Sequence, residues 1–271
     1  MPPFVKKVIA LLVILVLANA GFVLYGQASF DATFQQLARA FADNNATLPR
    51  RSALPSPVEK AVERSALAAH PYKTVAMQLN GDYFKKPNKP MPMQALLLLR
   101  PTPDLLRADR IDANALVTFN ALESYHAGRA KMQTMLFGII PTGEFTSKAF
   151  ARSELARTLA YGLFNPALLA CACVDYRPLD SRHLRATIHD GNLTASVIFE
   201  SDARGDIVTV LSDDRVRPVK KSLVPTPWRL DVVRYGEKDG LRMPVEVKES
   251  WMSGGQPFVY AAYQVTSAKR L

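Results

Sequence analysis

Apolar and polar residues alternate one for one along much of the chain's last third. Leu184-Arg-Ala-Thr-Ile188 stops at His189-Asp-Gly-Asn192, Leu193 to Glu200 stops at Ser201-Asp-Ala-Arg-Gly205, and Asp206 to Arg217 follows as a third strand. Three strands in about 33 residues leave no room for crossover helices, so the pairing is of the hairpin kind. Two more hairpin signals, Tyr235-Gly-Glu-Lys-Asp-Gly240 and Ser253-Gly-Gly-Gln-Pro257, separate β-branched or aromatic runs.

The same period recurs upstream. Tyr72 to Phe84 sets Val75, Met77 and Leu79 against Thr74, Ala76, Gln78 and Asn80, a half-buried strand. Lys85 to Pro92 is a loop by its prolines, Met93 to Arg100 a short apolar strand, and Leu105 to Asp112 a strand or short helix. Ala113 to Ile140 holds two strands broken near His126-Ala-Gly128. The first carries Leu116, Thr118, Asn120 and Leu122, and the second Met132, Thr134 and Leu136.

The period then changes. Thr142 to Ser147 reads as a loop whose last residue caps a helix to about Leu163, with Phe150, Leu155, Leu159 and Leu163 on one face and Arg152, Glu154 and Arg157 beside it. Asn165-Pro166 ends it. A second helix is expected over 56–67, with Ser56 as N-cap, Pro57 in its first turn, Glu59 three positions on, and Val58, Val62 and Leu67 inward. It ends near Ala69-His-Pro71. Helices this few among some ten strands must cover the sheet, because nothing else is available to bury their apolar sides. The expected fold is α+β: one large curved antiparallel sheet, half-barrel-like, of about nine to eleven strands, with the 148–163 and 56–67 helices on its concave side.

The N-terminus follows another rule. After Lys6-Lys7 the chain runs uncharged through Val8 to Gly26, long enough to span a bilayer with the basic flank in the cytoplasm. A cleaved signal peptide is the rival reading, through the small-x-small site Ala18-Asn-Ala20. Continued apolarity through Phe22-Val-Leu24 favours a retained anchor at residues 8–25. Either way the remainder lies outside the cytoplasm, and a retained anchor makes a single-pass protein of a bacterial inner membrane with a periplasmic domain. Residues 30–44 are helical in spacing, with Phe34, Leu37, Ala38 and Phe41 on one face, and the Asn44-Asn45 pair follows. The expected division is 1–27 anchor or signal, 28–53 helical stalk, and 54–271 sheet-plus-helix domain.

Composition adds one constraint. The 271 residues carry a formal charge of +10, and 32 basic against 24 acidic residues remain once residues 1–25 are set aside. Such a surface suits anionic partners. Beside a membrane that means lipid headgroups, and nucleic acid is not an expected partner. The cysteines form one Cys171-Ala-Cys173 pair. A bridge across one residue closes a small ring, so thiols are expected rather than a disulfide, and two sulfurs without a nearby histidine make no metal site.

No familiar catalytic signature is present: no Gly-x-Ser-x-Gly elbow, phosphate-binding glycine loop, His-Glu-x-x-His, Cys-x-x-Cys or EF-hand loop. His70, His126, His183 and His189 fall near turns, where exposed histidines are ordinary, and His189-Asp190 is the one candidate acid–base pair. Asp213-Asp-Arg215 reads as an ion pair or an anion contact. Trp228, Tyr235, Trp251, Phe258, Tyr260 and Tyr263 crowd the last strands, as core or as the lining of an apolar cavity under the 148–163 helix. Asn45-Ala-Thr47 and Asn192-Leu-Thr194 match the glycosylation sequon and carry little weight.

From Leu54 onward the order of landmarks resembles a bacterial family known only as a domain of unknown function, usually found behind a membrane helix. The residues are Leu54-Pro-x-Pro-Val58, Glu123-Ser-Tyr-x-x-Gly128-x-Ala-x-Met132, Gly138, Pro141, Arg157-x-Leu-Ala160 and Phe164-Asn-Pro-Ala-Leu-Leu169. Asp214-Arg215, Pro227-Trp228, Tyr235, Asp239-Gly-Leu-Arg-Met-Pro244, Trp251 and Phe258-Val-Tyr260 complete the series. Tyr161 stands where the family carries an acid, and Phe164 where it carries Trp, which puts any role of that acid in doubt here. The layout also looks like the periplasmic lipoprotein carriers of the LolA-like fold, an analogy of fold alone. The resemblance implies no activity. The expected function is non-enzymatic binding of a lipid or acylated protein, without cofactor, metal or catalytic residues. Its candidate binding residues are Arg157, Tyr161, Asp214, Arg215, Trp228, Tyr235, Trp251 and Tyr260. The alternatives are a structural or interaction module of the envelope, with a filled sheet–helix interface, and a hydrolase, which requires His189, Asp190 and the Asp213–Arg215 group to meet in one cleft.

Overall fold

Hairpin by hairpin, the chain assembles a single sheet. The computed structural model describes residues 2–43, 48–65, 73–114 and 117–271. Its strands are β1 (Val75–Phe84), β2 (Pro90–Leu99), β3 (Leu105–Asn114), β4 (Val117–His126), β5 (Arg129–Leu136), β6 (Ile140–Phe145), β7 (Val174–Pro178), β8 (His183–Asp190), β9 (Leu193–Ser201), β10 (Ile207–Ser212), β11 (Val216–Val219), β12 (Ser222–Pro225), β13 (Trp228–Lys238), β14 (Leu241–Ser253) and β15 (Gln256–Arg270). The helices are α1 (Pro3–Asp43), α2 (Ser56–Arg64), α3 (Lys148–Tyr161) and α4 (Pro166–Leu169). Thirteen strands form one curved antiparallel sheet in the order β6-β5-β4-β3-β2-β1-β15-β14-β13-β10-β9-β8-β7, and β11 and β12 make a separate hairpin.

This order places α3. The chain leaves the sheet at one edge, β6, and re-enters at the other, β7, so the segment between them must cross the concave side. There α3 touches β4 and β5 on one wing and β8 and β9 on the other. Ser147 Oγ accepts the Phe150 N–H 3.0 Å away and caps its start. Enclosure by both wings and by β11 buries nearly the whole circumference of α3, Glu154 and Arg157 included, and leaves Arg152 exposed. Of the three charged residues expected beside the apolar face, Glu154 and Arg157 are therefore buried with it.

The opposite face is covered too. Leu97, Leu99 and Leu105 point into the main core, whereas Leu98, Leu106, Ala108 and Leu122 pack against Phe30 and Phe34 of α1. Cover on both faces explains the unbroken apolar run of β2. Gln27 and Asn120 exchange amide hydrogen bonds of 3.1 and 3.3 Å, and Arg100 donates to the Phe41 carbonyl with its guanidinium 4.1 Å from that ring. Gly26 meets the Phe137-Gly138 turn so closely that a Cβ on Gly138, at φ +80°, would lie 2.5 Å from the Gly26 oxygen. Leu37, expected on the packed face, is 41% exposed. The helix is continuous from Pro3 to Asp43.

Other expectations are revised. Residues 142–145 of the expected loop belong to strand β6, and an edge strand with one partner tolerates Pro141. The strand expected over 206–217 breaks after Ser212, because the Asp214 carboxylate turns back to accept the Ser196 N–H at 2.7 Å and releases β11 from the sheet. With β7 also a strand, the count exceeds nine to eleven. Helix α2 starts at Ser56, with Pro55 at the N-cap position and no side-chain cap. Cys171 and Cys173 are disulfide-bonded, their Cα atoms 5.1 Å apart, because the segment is a tight turn after α4 rather than an extended strand. Leu67, His70, Leu116 and the Asn44–Thr47 stretch lie outside the described residues.

Candidate functional site

Between α3 and the concave sheet lies a cavity of about 580 Å³, within the range of small-molecule sites. Helix α3 and strands β3, β4 and β14 each contribute apolar residues toward one end and charged residues toward the other. On α3, positions 150, 154 and 157 form one helical stripe that passes from Phe150 to Glu154 and Arg157. In β3 the alternation gives Ile111, then Asp109 and Arg107; β4 gives Ala121, then Glu123; β14 gives Trp251, then Glu249. Phe145, Phe258 and Val216 complete the apolar wall.

The charged floor is closely paired. Arg107 Nε donates to both oxygens of Asp109, at 2.9 and 3.0 Å, and its Nη1 to Tyr161 Oη at 2.6 Å. Arg157 bridges Glu123 and Glu154. Arg215 donates to Glu154 Oε1 and the Ser153 carbonyl, both at 2.8 Å, and its guanidinium lies 5.4 and 5.6 Å from the rings of Trp228 and Trp251. Glu249 Oε1 accepts from Tyr161 at 2.5 Å and Tyr263 at 2.6 Å, and Oε2 accepts from Tyr260.

Burial pushes the Glu249 carboxyl up, but Arg107, Arg157 and the phenols outweigh it and hold it below the usual range. Glu123 is lowered in the same way: burial is opposed chiefly by Arg157 and then Arg107. For Asp109 burial wins over Arg107, and the carboxyl is raised. Burial likewise raises the Tyr161, Tyr260 and Tyr263 hydroxyls, so they serve as donors. Three guanidinium and four carboxyl groups leave the floor formally at −1 with every acid ionised. The Nε–H groups of Arg157 and Arg215 are buried and find no acceptor among the described residues.

Of the residues singled out from sequence, Arg157, Arg215, Trp251 and Tyr260 line this cavity. Tyr161 lies beneath it, tied to Arg107 and Glu249. Trp228 is buried behind the wall, its Nε1 donating to Tyr260 Oη at 3.1 Å. Asp214 sits outside, paired with Arg152 at 2.7 Å. Tyr235 lines a separate depression with Asp206 and Arg242, and donates to the Ile207 carbonyl at 2.7 Å. Arg107, Asp109 and Glu249 were missed as site residues, because charges at every second position of a strand read as its solvated face.

The hydrolase constellation does not assemble. His189 pairs with Asp175 at 3.1 Å on the surface, Asp190 accepts from Tyr125 Oη at 2.7 Å and the Gly128 N–H at 2.8 Å, and Asp214 lies by α3.

A family model matches residues 45–263, the whole of this sheet apart from the last residues of β15. The chain belongs to the DUF6544 family of unknown function. No curated protein matches the sequence. Three crystal structures are similar to this DUF6544 chain at low identity. A domain described as an outer membrane lipoprotein-sorting protein from Vibrio parahaemolyticus is 13% identical, over 79% of this chain and 91% of that one, with a TM-score of 0.41. A DUF1329 family protein from Desulfovibrio piger is 10% identical over 80% and 94%, with a TM-score of 0.39. A LolA superfamily protein from Nitrosomonas europaea is 11% identical over 80% and 94%, with a TM-score of 0.33. The DUF6544 match covers the cavity-lining strands and α3, and begins after the end of α1.

Proposed function

We propose that this protein is a membrane-tethered, non-enzymatic binding module for a lipid or acylated ligand, held outside the cytoplasmic membrane by α1. The cavity carries the reading. An apolar wall over a paired polar floor accepts an aliphatic chain along the wall and an uncharged polar group on the floor. A formal charge of −1 turns an anionic headgroup away from the floor. Helix α1 is long and apolar enough to cross a bilayer, and its first half is exposed. An envelope module without a ligand expects a filled sheet–helix interface, and the cavity weighs against it.

The test is photo-crosslinking. The full chain is reconstituted in nanodiscs doped with a phospholipid carrying a diazirine on its acyl chain, and adducts are mapped by peptide mass spectrometry. Adducts are expected on the wall segments 93–111, 216–220 and 251–261, and Ala121→Phe, which fills the space, should remove them. Adducts confined to α1 would overturn the reading.

A further inference from the structure

The way α1 docks fixes which end of the half-barrel meets the bilayer. Consecutive hairpin turns of an antiparallel meander alternate between its two ends. The β1–β2, β3–β4 and β5–β6 connections therefore share one end, and the β14–β15 turn joins them because β15 pairs with β1 from Ala261 beside Tyr83 to Arg270 beside Val75. The β2–β3 and β4–β5 turns lie at the other end. Helix α1 lies along this axis: Phe41 is held by Arg100 at the β2–β3 end, Gln27 by Asn120 midway, and Phe22 and Gly26 by Phe137 and Gly138 of the β5–β6 turn. Residues 3–21 thus project past the β5–β6 end. At 1.5 Å per residue they reach about 28 Å, the thickness of a bilayer core. Leu24 and Tyr25, 71% and 68% exposed, mark its edge, and no linker separates them from the docked part.

That end is also the mouth of the cavity. Tyr83 and Phe84 at the end of β1, Lys85 of the β1–β2 connection, Val216 to Lys220 of the β11–β12 hairpin, and Phe258 after the β14–β15 turn line it together. Around it stand Lys85, Lys86, Lys89, Arg217, Lys220 and Lys221, and segments 85–89 and 216–227 contain no acidic residue. None of these six cations forms an ion pair among the described residues; Arg217 lies over the Phe258 ring, 5.5 Å away. Val219 and Val224 of the hairpin are 41% and 42% exposed beside them. The acids on this side are Asp82, half-buried in β1 three residues before Lys85, Asp112, paired with Arg110, and Asp213, exposed before the hairpin. The opposite end mixes its signs, with Arg100 against Asp104, His126 against Asp104, and Arg204 and Arg242 against Asp202 and Asp206.

We infer that the cavity rim is a docking surface for the anionic phospholipid face of the bilayer that holds α1, with the six cations on headgroups and the β11–β12 hairpin in the interface. Apolar residues flanked by lysines are what an interfacial segment requires, and a cationic rim of this size binds anionic headgroups by charge. The mouth then opens onto the leaflet itself, so a chain passes between bilayer and cavity without crossing water. The docking stands on the α1 geometry and the rim charge; the passage rests on the lipid-binding reading.

The full chain carrying an environment-sensitive fluorophore at Ser222→Cys, on the hairpin, or at Ala203→Cys, at the opposite end, is reconstituted in nanodiscs of neutral or part-anionic phospholipid with quencher-bearing acyl chains. The Ser222→Cys label should be quenched at least twice as strongly in anionic as in neutral discs. The Ala203→Cys label should be quenched in neither. Lys86→Glu, Lys220→Glu and Lys221→Glu together should remove the anionic excess. A Ser222→Cys label that is unquenched, indifferent to headgroup charge or matched by Ala203→Cys would overturn the docking. Acyl-chain crosslinks to the cavity wall read the ligand separately, so either idea can fail while the other stands.

Discussion

Replacing Arg157 with methionine removes the one cation that bridges Glu123 and Glu154. Its side chain is 6% exposed and that of Glu123 10%, so solvent screens the pair little. After the substitution Glu154 keeps Arg215 at 2.8 Å, but Glu123 loses the partner that does most to lower its carboxyl. Breaking a buried pair from one side costs roughly 3–5 kcal/mol, because a charge is left uncompensated. For a domain of this size that is a fall in Tm of roughly 6–20 °C. The pH dependence identifies the cause. In the native protein Glu123 has a lowered pKa, so its contribution is present above its ordinary value of 4.5 and is lost as pH falls below it. In Arg157→Met burial is opposed only by Arg107 and Arg215, so the folded pKa rises from its native position. The penalty is then largest at neutral pH and shrinks as the carboxyl is protonated. Thermal unfolding of the full chain in detergent, at pH 7 and pH 5, should show the gap to wild type narrowing. Arg157→Met with Glu123→Gln should recover much of the loss. A cost below about 1 kcal/mol, or a double variant no better than the single, would refute the assignment.

Tyr260→Phe deprives Glu249 of one donor and the buried Trp228 N–H of its acceptor, and should lower stability by about 1–3 kcal/mol in denaturant titration. Gly138→Ala drives a methyl against the Gly26 carbonyl at a positive φ, so hydrogen exchange should quicken along residues 27–41 while the α3 amides keep their protection. Glu123 and Glu249 both titrate below 4.5, so tryptophan fluorescence should hold from pH 7 to pH 5 and change below about 4.5. Asp109, raised by burial, works in the opposite sense: its share is lost as pH rises through its folded value, so Asp109→Asn should cost less at pH 7 than Glu123→Gln.

The sheet was legible where one face is buried and the other is wet. There the two-residue period survives in sequence, as in β1, β8 and β9, and the glycine turns after β13 and β14 mark the hairpins. Strands β6 and β7 lacked that period because edge strands pack loosely, with 140–142 exposed. The floor was half legible. Arg157 drew attention beside an apolar helix face and Arg215 beside a pair of acids, yet Arg107-Ala-Asp109 within an ordinary alternation resembles a wet face. Only the curl of the sheet, which no local pattern encodes, turns that face inward. The placement of α1 on the outer face was hidden for a related reason: the run 95–99 reads as a buried strand without saying what buries it.

The two central strands of the sheet, β1 and β15, are the first and last to be synthesised, and Val75 waits for Arg270. Until residues 256–270 leave the ribosome, the β1–β6 half and the β7–β14 half each present a bare inner edge, open to pairing with a neighbouring chain. Because the closing contacts are so distant in sequence, completion is slow, and a nascent chain has long exposure to that hazard. A stop codon at residue 255 would not trim a tail but split the molecule down its middle.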